Sequence, residues 1–391
     1  MLAGMVIPSI YMDHNATTPL DPRVFEAMRP YFMEVFGNAA SRGHSFGWEA
    51  EAAVDRARQQ VADLLNARPD AIVWTSGATE SNNLAIKGAA DAHAHRGRHI
   101  ITQVTEHKAV LDPCKRLQKH GYDVTFLGVD RFGRIDLDEL RKAIRRDTIL
   151  VSIMWANNEI GTLQEIRQIG ELCKSHGVLF HTDATQAVGK LPIDVEADCI
   201  DLLSMSGHKM YGPKGCGCLF VRNKPRKIEL TPVLDGGGHE RGYRSGTLNV
   251  PGIVGVGAAC DIANGEMANE IPRLRQLRDR LQEGIMRNVD GVLVNGFEAA
   301  RLPHMTNLAF EDVDHDQLLG ALYGIAVSSG SACTSASLEP SYVLSALGLP
   351  ERLAFPSLRF ALGKRNTIEE VDLVIDRLSH SIGKLRNPSP R

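Results

Sequence analysis

The sequence predicts an α/β protein of two domains, a larger one built on a mostly parallel sheet and a smaller one of α+β type. Three observations carry this. The chain has 391 residues, more than one hydrophobic core usually supports. From about residue 70 to 220, short β-branched runs alternate with helical patterns, the signature of βα units. From about residue 262 that alternation gives way to a long charged amphipathic helix and then to a mixture of strand and helix patterns.

Taken in order, residues 49–66, EAEAAVDRARQQVADLLN, place apolar groups at 50, 53, 54, 57, 61, 64 and 65, the period of a helix buried along one stripe. AIVWTSG is a strand ending in glycine, and ATESNNLAIKGAA is the helix after it. HIITQV is the next strand and HKAVLDPCKRLQKHG its helix. DVTFLGV and TILVSIMWA follow as strands, IRQIGELCKSHG as a helix, then VLFHTDA and DLLSMSGHK as two more strands. CGCLFV reads as a buried strand, because Cys216 and Cys218 have no second pair nearby at metal-ligand spacing. EIPRLRQLRDRLQEGIMRNV is the charged helix linking the domains, and MTNLAFEDV is a strand. TIEEVDLVIDRLSHSIGKL carries apolar residues at 368, 371, 375, 378, 382 and 385, with Thr367 and Glu370 forming a capping box at its start. The final RNPSPR reads as a frayed tail. The opening MLAGMVIPSIYMDHN lacks a basic n-region and a long h-region, so it reads as an ordered arm or first strand rather than a signal peptide.

Composition narrows the function. Apolar residues make up 43% and charged residues 23%, the balance of a soluble globular enzyme. A net charge of −3 argues against bulk binding to nucleic acid or acidic membranes. No apolar run is long enough to predict a transmembrane helix. Seven cysteines (Cys114, Cys173, Cys199, Cys216, Cys218, Cys260 and Cys333) are scattered and odd in number, which points to a reducing cytoplasm.

Polar residues cluster just past the strand ends, where open α/β sheets bind their ligands. Lys209, flanked by Ser206, Gly207 and His208 after DLLSMS, stands where an aldehyde cofactor can form a Schiff base. Asp183, at the end of VLFHTDA, is placed to keep a pyridine nitrogen protonated. The pair matches the needs of pyridoxal phosphate (PLP). TSGATES offers backbone N–H groups and the Thr79 hydroxyl to an anion at a helix N-terminus. His107 follows the strand HIITQV, in position to lie over a flat ring. Singly, each has a plainer explanation: a solvated lysine, an N-cap aspartate, an ordinary capped helix, a structural histidine. Cys333 is different. The other residues of the run Ser328–Ser337 are only Ser, Gly, Ala and Thr. A cysteine is usually a small buried hydrophobe; here nothing provides a wall, so the thiol reads as exposed and reactive.

Eight stretches in order, covering nearly the whole chain, resemble the cysteine desulfurases of the NifS/IscS type, within the class V aminotransferase group of PLP enzymes. They are YMDHNATTPLDPRV, SGATESNNLAIKG, TEHKAVLD, NNEIGTLQEI, HTDATQAVGKLPID, SGHKMYGPKGCG, GGGHERGYRSGTLN and SSGSACTSASLEPSYVLSALGL. The resemblance implies PLP-dependent transferase fold type I, with a mostly parallel sheet of the seven-stranded type. Residues 16–261 would be the large PLP-binding domain. Residues 1–15 and 262–391 would form the small domain, carrying the catalytic Cys loop at about 327–341. It implies an L-cysteine desulfurase giving L-alanine and a Cys333 persulfide, which passes to an iron–sulfur scaffold or other sulfur-acceptor protein. A selenocysteine lyase, or another class V PLP lyase, is the alternative on the same fold.

The roles implied are these. Lys209 carries PLP covalently, Asp183 bonds its ring nitrogen and Gln186 its ring hydroxyl, and His107 stacks on the ring and moves protons. Ala78, Thr79, Ser206 and His208 hold the phosphate, joined by Thr247 across the interface of a homodimer. Asn158 and Arg359 hold the substrate carboxylate, a task suited to the planar guanidinium fork. Cys333 is the sulfur-accepting thiol and a transient [2Fe–2S] ligand. The branch is open: Trp155-Ala156 leans toward the nitrogen-fixation members, GHSFGWEAE toward the housekeeping ones, and Phe355-Pro356 replaces a more polar pair.

Overall fold

The computed structural model describes residues 10–225, 227–329 and 340–387. Strand β1 (Ile10–Tyr11) is followed by helices α1 (Pro22–Met28), α2 (Pro30–Met33) and α3 (Ser45–Leu65). The expected stripe is the face that α3 buries, from Ala50 through Ala53, Val54, Ala57, Val61 and Leu64 to Leu65. Asn66, in the left-handed conformation, ends it.

Then strands and helices alternate: β2 (Ile72–Thr75), α4 (Ala78–Ala92), β3 (His99–Gln103), α5 (Lys108–Lys119), β4 (Asp123–Leu127), α6 (Leu137–Ala143), β5 (Thr148–Ser152), α7 (Ile166–His176), β6 (Leu179–Asp183), β7 (Leu202–Ser206) and β8 (Gly217–Val221). These seven strands form one sheet in the order β2-β8-β7-β6-β5-β3-β4. The run from β4 to β7 is parallel, whereas β8 lies antiparallel to both β7 and β2. Both faces are covered, which is why the strands read as continuous apolar runs. Ile72 and Trp74 join the core shared with α3, while Val73 turns to the core of α4 and α5. Cys218 is buried in β8, with Cys216 buried just before it.

Helix α8 (Val250–Asn288) runs for 39 residues and passes through position 262 without a break. Its start at Val250 was not visible in the sequence, because VPGIVGVGAACDIAN is apolar on nearly every side. This half packs closely on α3: a Cβ added at Gly257 would lie 2.6 Å from the Ala57 Cα. The second half contributes Leu277, Leu281 and Ile285 to another core, which also takes in Ile10 and Met12. That core covers a four-stranded sheet in the order β12-β13-β10-β9, with β9 (Val292–Asn295), β10 (Met305–Phe310), β12 (Ser328–Ser329) and β13 (Ser357–Ala361). Around it lie α9 (His315–Ala321), β11 (Ile325–Ala326), α10 (Tyr342–Ala346), α11 (Glu351–Ala354) and α12 (Ile368–Arg386), and β11 pairs in parallel with β1. We propose the division 16–261 against 1–15 with 262–391 as the domain boundary, with α8 shared between the two cores. The capping box of Thr367 and Glu370 starts α12 as expected, while Ile368 stands exposed in the first turn, outside the buried stripe.

No helix among the described residues is long and apolar enough to cross a membrane. Arg58 of α3 makes a two-pronged buried pair with Glu240, at 2.8 and 2.9 Å, and Glu240 also accepts from the Trp74 N–H at 2.8 Å. This ties the GGGHERGYRSGTLN segment, which carries Thr247, to the edge strand β2.

Candidate active site

A cavity of about 520 Å³ opens beside the ends of β6 and β7, with Asn15, Ala78, Thr79, His107, Asn158, Asp183, Gln186, Ser206, His208, Lys209 and Arg359 in its wall. Each is delivered by a local feature of the sequence. Gly77, at φ +146°, makes the turn from β2 into α4, a backbone state glycine adopts readily. No side chain caps the N-terminus of α4, so the amides of its first turn, including Ala78 and Thr79, face the cavity as anion donors. Ser206 ends β7. The His208 ring nitrogen Nδ1 lies 3.1 Å from Thr17 Oγ1. Burial first, then neighbouring Lys209 and Lys214, push the His208 pKa down to about 4.

Asp183 ends β6 and is only 6% exposed. Its Oδ2 accepts from Asn82 Nδ2 at 2.7 Å and its Oδ1 from the Thr185 N–H at 3.0 Å. The local capping bond and the cavity-lining position coexist in one carboxylate. Gln186 donates from Nε2 to the Asn15 carbonyl at 3.0 Å and accepts at Oε1 from Lys190 Nζ at 2.8 Å. Burial, followed by the charges of Lys209 and Arg359, holds the Lys190 ammonium well below the usual lysine range.

Lys209 sits in a single helical turn, Gly207–Lys209, after β7. Its Nζ donates to the Asn15 and Ala16 carbonyls at 2.6 and 2.7 Å. His107 caps α5, its Nδ1 accepting the Ala109 N–H at 3.1 Å. Arg359 enters from β13, 6% exposed. It donates to the Asn158 carbonyl at 3.0 Å and pairs with Asp13 at 2.6 Å, while its Nε is buried with no hydrogen-bond partner among the described residues. An amino-acid carboxylate would satisfy that nitrogen.

Two expected residues are not in this wall. Thr247 is exposed and absent from the cavity lining. Cys333, and with it most of the 327–341 stretch, lies outside the described residues. In the other direction, the sequence reading assigned no role to Asn15, Asn82 or Lys190. Asn15, 1% exposed, joins most of the site: its carbonyl receives Lys209 and Gln186, its Nδ2 donates to the Asn158 carbonyl at 3.0 Å, and its Oδ1 meets His304 Nε2 at 2.7 Å. The available signal was the stretch YMDHNATTPLDPRV, matched as a motif but not residue by residue.

A buried carboxylate, an uncapped helix N-terminus and a primary amine thus share one cavity, a donor set suited to a flat aldehyde that carries a phosphate and a basic ring nitrogen. The known proteins that the chain resembles agree with this chemistry. Residues 10–374 match the family described as aminotransferase class-V. The cysteine desulfurase IscS of Anaeromyxobacter sp. (strain Fw109-5) is 56% identical over 386 residues, covering 99% of this chain and 95% of that protein. A solved NifS-like protein superposes with a TM-score of 0.89 at 38% identity, over 96% of this chain and 100% of its own. The structure titled SspA in complex with cysteine gives 0.80 at 39% identity, over 90% of this chain and 99% of its own. With identity of this extent along nearly its full length, the chain belongs to the class-V aminotransferase family, among its cysteine desulfurases of the NifS/IscS type.

Proposed function

We propose that the protein is a PLP-dependent L-cysteine desulfurase, releasing L-alanine and passing sulfur from Cys333 to an acceptor for iron–sulfur cluster assembly. The observation that carries this reading is the convergence of Lys209, Asp183 and Arg359, from three separate strands or the turns that follow them, on one cavity. The relative solved with cysteine supports the same substrate.

Bound through Lys209, PLP supplies an electron-accepting ring that acidifies the substrate α-carbon and weakens its Cβ–S bond. The chain's own residues do the rest. Ala78, Thr79, Ser206 and His208 would hold the phosphate, Asp183 would keep the ring nitrogen protonated, and Gln186 would bond the ring hydroxyl. His107 would lie over the ring, and Lys209 Nζ, once free, would move the α-proton. Arg359 and Asn158 hold the substrate carboxylate. The Cys333 thiolate forms an S–S bond with the substrate sulfur as the Cβ–S bond breaks. The electron pair stays on the three-carbon fragment, which takes up a proton and leaves as L-alanine. A [2Fe–2S] cluster under assembly would take a thiolate ligand from Cys333. The described cysteines are free thiols, in keeping with a cytoplasmic location.

The test is to add L-cysteine and quantify alanine and protein persulfide, which should rise together. Arg359→Lys keeps the charge but loses the fork, so KM for L-cysteine should rise roughly 10- to 100-fold. An unchanged KM would remove Arg359 from the substrate site.

The same reading makes the protein a homodimer in which Thr247 of the partner subunit completes the phosphate site. Thr247 is exposed and absent from the lining of its own cavity, which supports that reading. Phe25, Phe32, Met33, Phe36, Phe46 and Trp48 stand exposed within one stretch of chain, and the Phe36 and Phe46 rings lie 5.6 Å apart. Grouped apolar exposure marks an interface rather than a free surface. Phe32→Glu combined with Phe36→Glu is expected to yield a monomer by light scattering, with weakened PLP retention. A variant that stays dimeric would move the interface elsewhere.

A further inference from the structure

The two ends of the segment bearing Cys333 are held by different parts of the molecule. Upstream, Ser328 and Ser329 pair with β13, with Ser328 opposite Arg359. Downstream, the chain comes to rest on the loops of the large sheet. Ser341, 5% exposed, caps α10: its Oγ accepts from the Val343 and Leu344 amides at 3.1 and 3.4 Å and donates to Glu159 Oε2. Tyr342 Oη donates to the Glu106 carbonyl at 2.6 Å. Val343 and Leu344 pack with Ile160 in a small cluster of their own. Both polar anchors therefore sit beside site residues, since Glu106 precedes His107 and Glu159 follows Asn158.

Glu159 is itself tightly placed. Its N–H donates to Asn157 Oδ1 at 2.9 Å and its carbonyl accepts from Asn307 Nδ2 at 2.9 Å. Burial is the main influence on its carboxyl, raising the pKa to about 7 against the opposing pull of the Ser341 bond, Arg359, His107 and Lys108. Burying a carboxyl group is costly, and the side-chain partner this one holds is the cap of α10.

We propose that Glu159 is a positioning residue: through Ser341 it fixes where the Cys333 segment rejoins the large domain, and so sets delivery of the thiol to the substrate sulfur. This rests on the reading of Cys333 as the sulfur-accepting thiol. It predicts a split between the two halves of the reaction. In the full-length holoenzyme, Glu159→Ala and Ser341→Ala should keep the cofactor absorbance. The cysteine concentration that half-saturates the cysteine-induced absorbance change should also stay the same. Persulfide and alanine formation in a single turnover should slow by roughly 10- to 100-fold, the usual effect of a misplaced reacting group. Glu159→Gln, which retains an acceptor for Ser341, should restore the rate.

A wild-type rate in either alanine variant would overturn the proposal. So would parallel loss of the absorbance change and of turnover, which marks a general structural defect. Cys333→Ala, run alongside, separates the two readings. If it still forms alanine at the wild-type rate, the functional reading fails; if it does not while Ser341→Ala remains fully active, only the positioning role fails.

Discussion

Lys209→Ala is expected to give a folded protein that lacks the covalently attached cofactor and produces alanine from L-cysteine at least roughly 10³-fold more slowly, since attachment point and proton carrier are lost together. The fold should survive. Lys209 is half-buried in the cavity wall, where its Nζ donates to the main-chain carbonyls of Asn15 and Ala16. Absorbance after purification, with alanine measured by amino-acid analysis, checks both parts. Turnover within about tenfold of wild type would remove Lys209 from the role, because a positioned acid–base group alone contributes more than that.

Cys333→Ala is expected to behave differently. Cofactor absorbance and the spectral response to L-cysteine should persist, because the residues around the cavity are untouched. Protein persulfide should vanish and alanine formation should fall by roughly 10²-fold or more, as the nucleophile is gone. Undiminished sulfur release to a physiological acceptor would contradict the desulfurase reading. A preference for selenocysteine that outlasts the loss of Cys333 would instead favour the lyase alternative.

Much of this molecule was legible because its signals are local. The α3 stripe, the both-face-apolar strands and the Thr367–Glu370 capping box each express periodicity or end chemistry within a few residues. Lys209, Asp183 and Thr79 could be placed for a related reason: a residue just past a strand end is committed to one edge of the sheet. What escaped were partnerships across long separations. Lys209 reaches a carbonyl 194 residues away, and Arg359 one 201 residues away. Lys190 was hidden because its partner, Gln186, is a neighbour in sequence, yet the burial that makes the contact matter comes from distant groups. The first half of α8 was hidden for the opposite reason: apolar on nearly all sides, it offers no stripe.

Asn15 holds Lys209 and Gln186 with its main-chain carbonyl, and an atom of the backbone is present whatever side chain is encoded. The aim of the Lys209 amine is therefore insulated from point mutation at this support. A substitution at Asn15 would disturb the bonds to Asn158 and His304, but displacing the lysine requires moving the whole arm. Genetic damage to this site should accordingly be graded, with substrate grip failing before the cofactor comes loose.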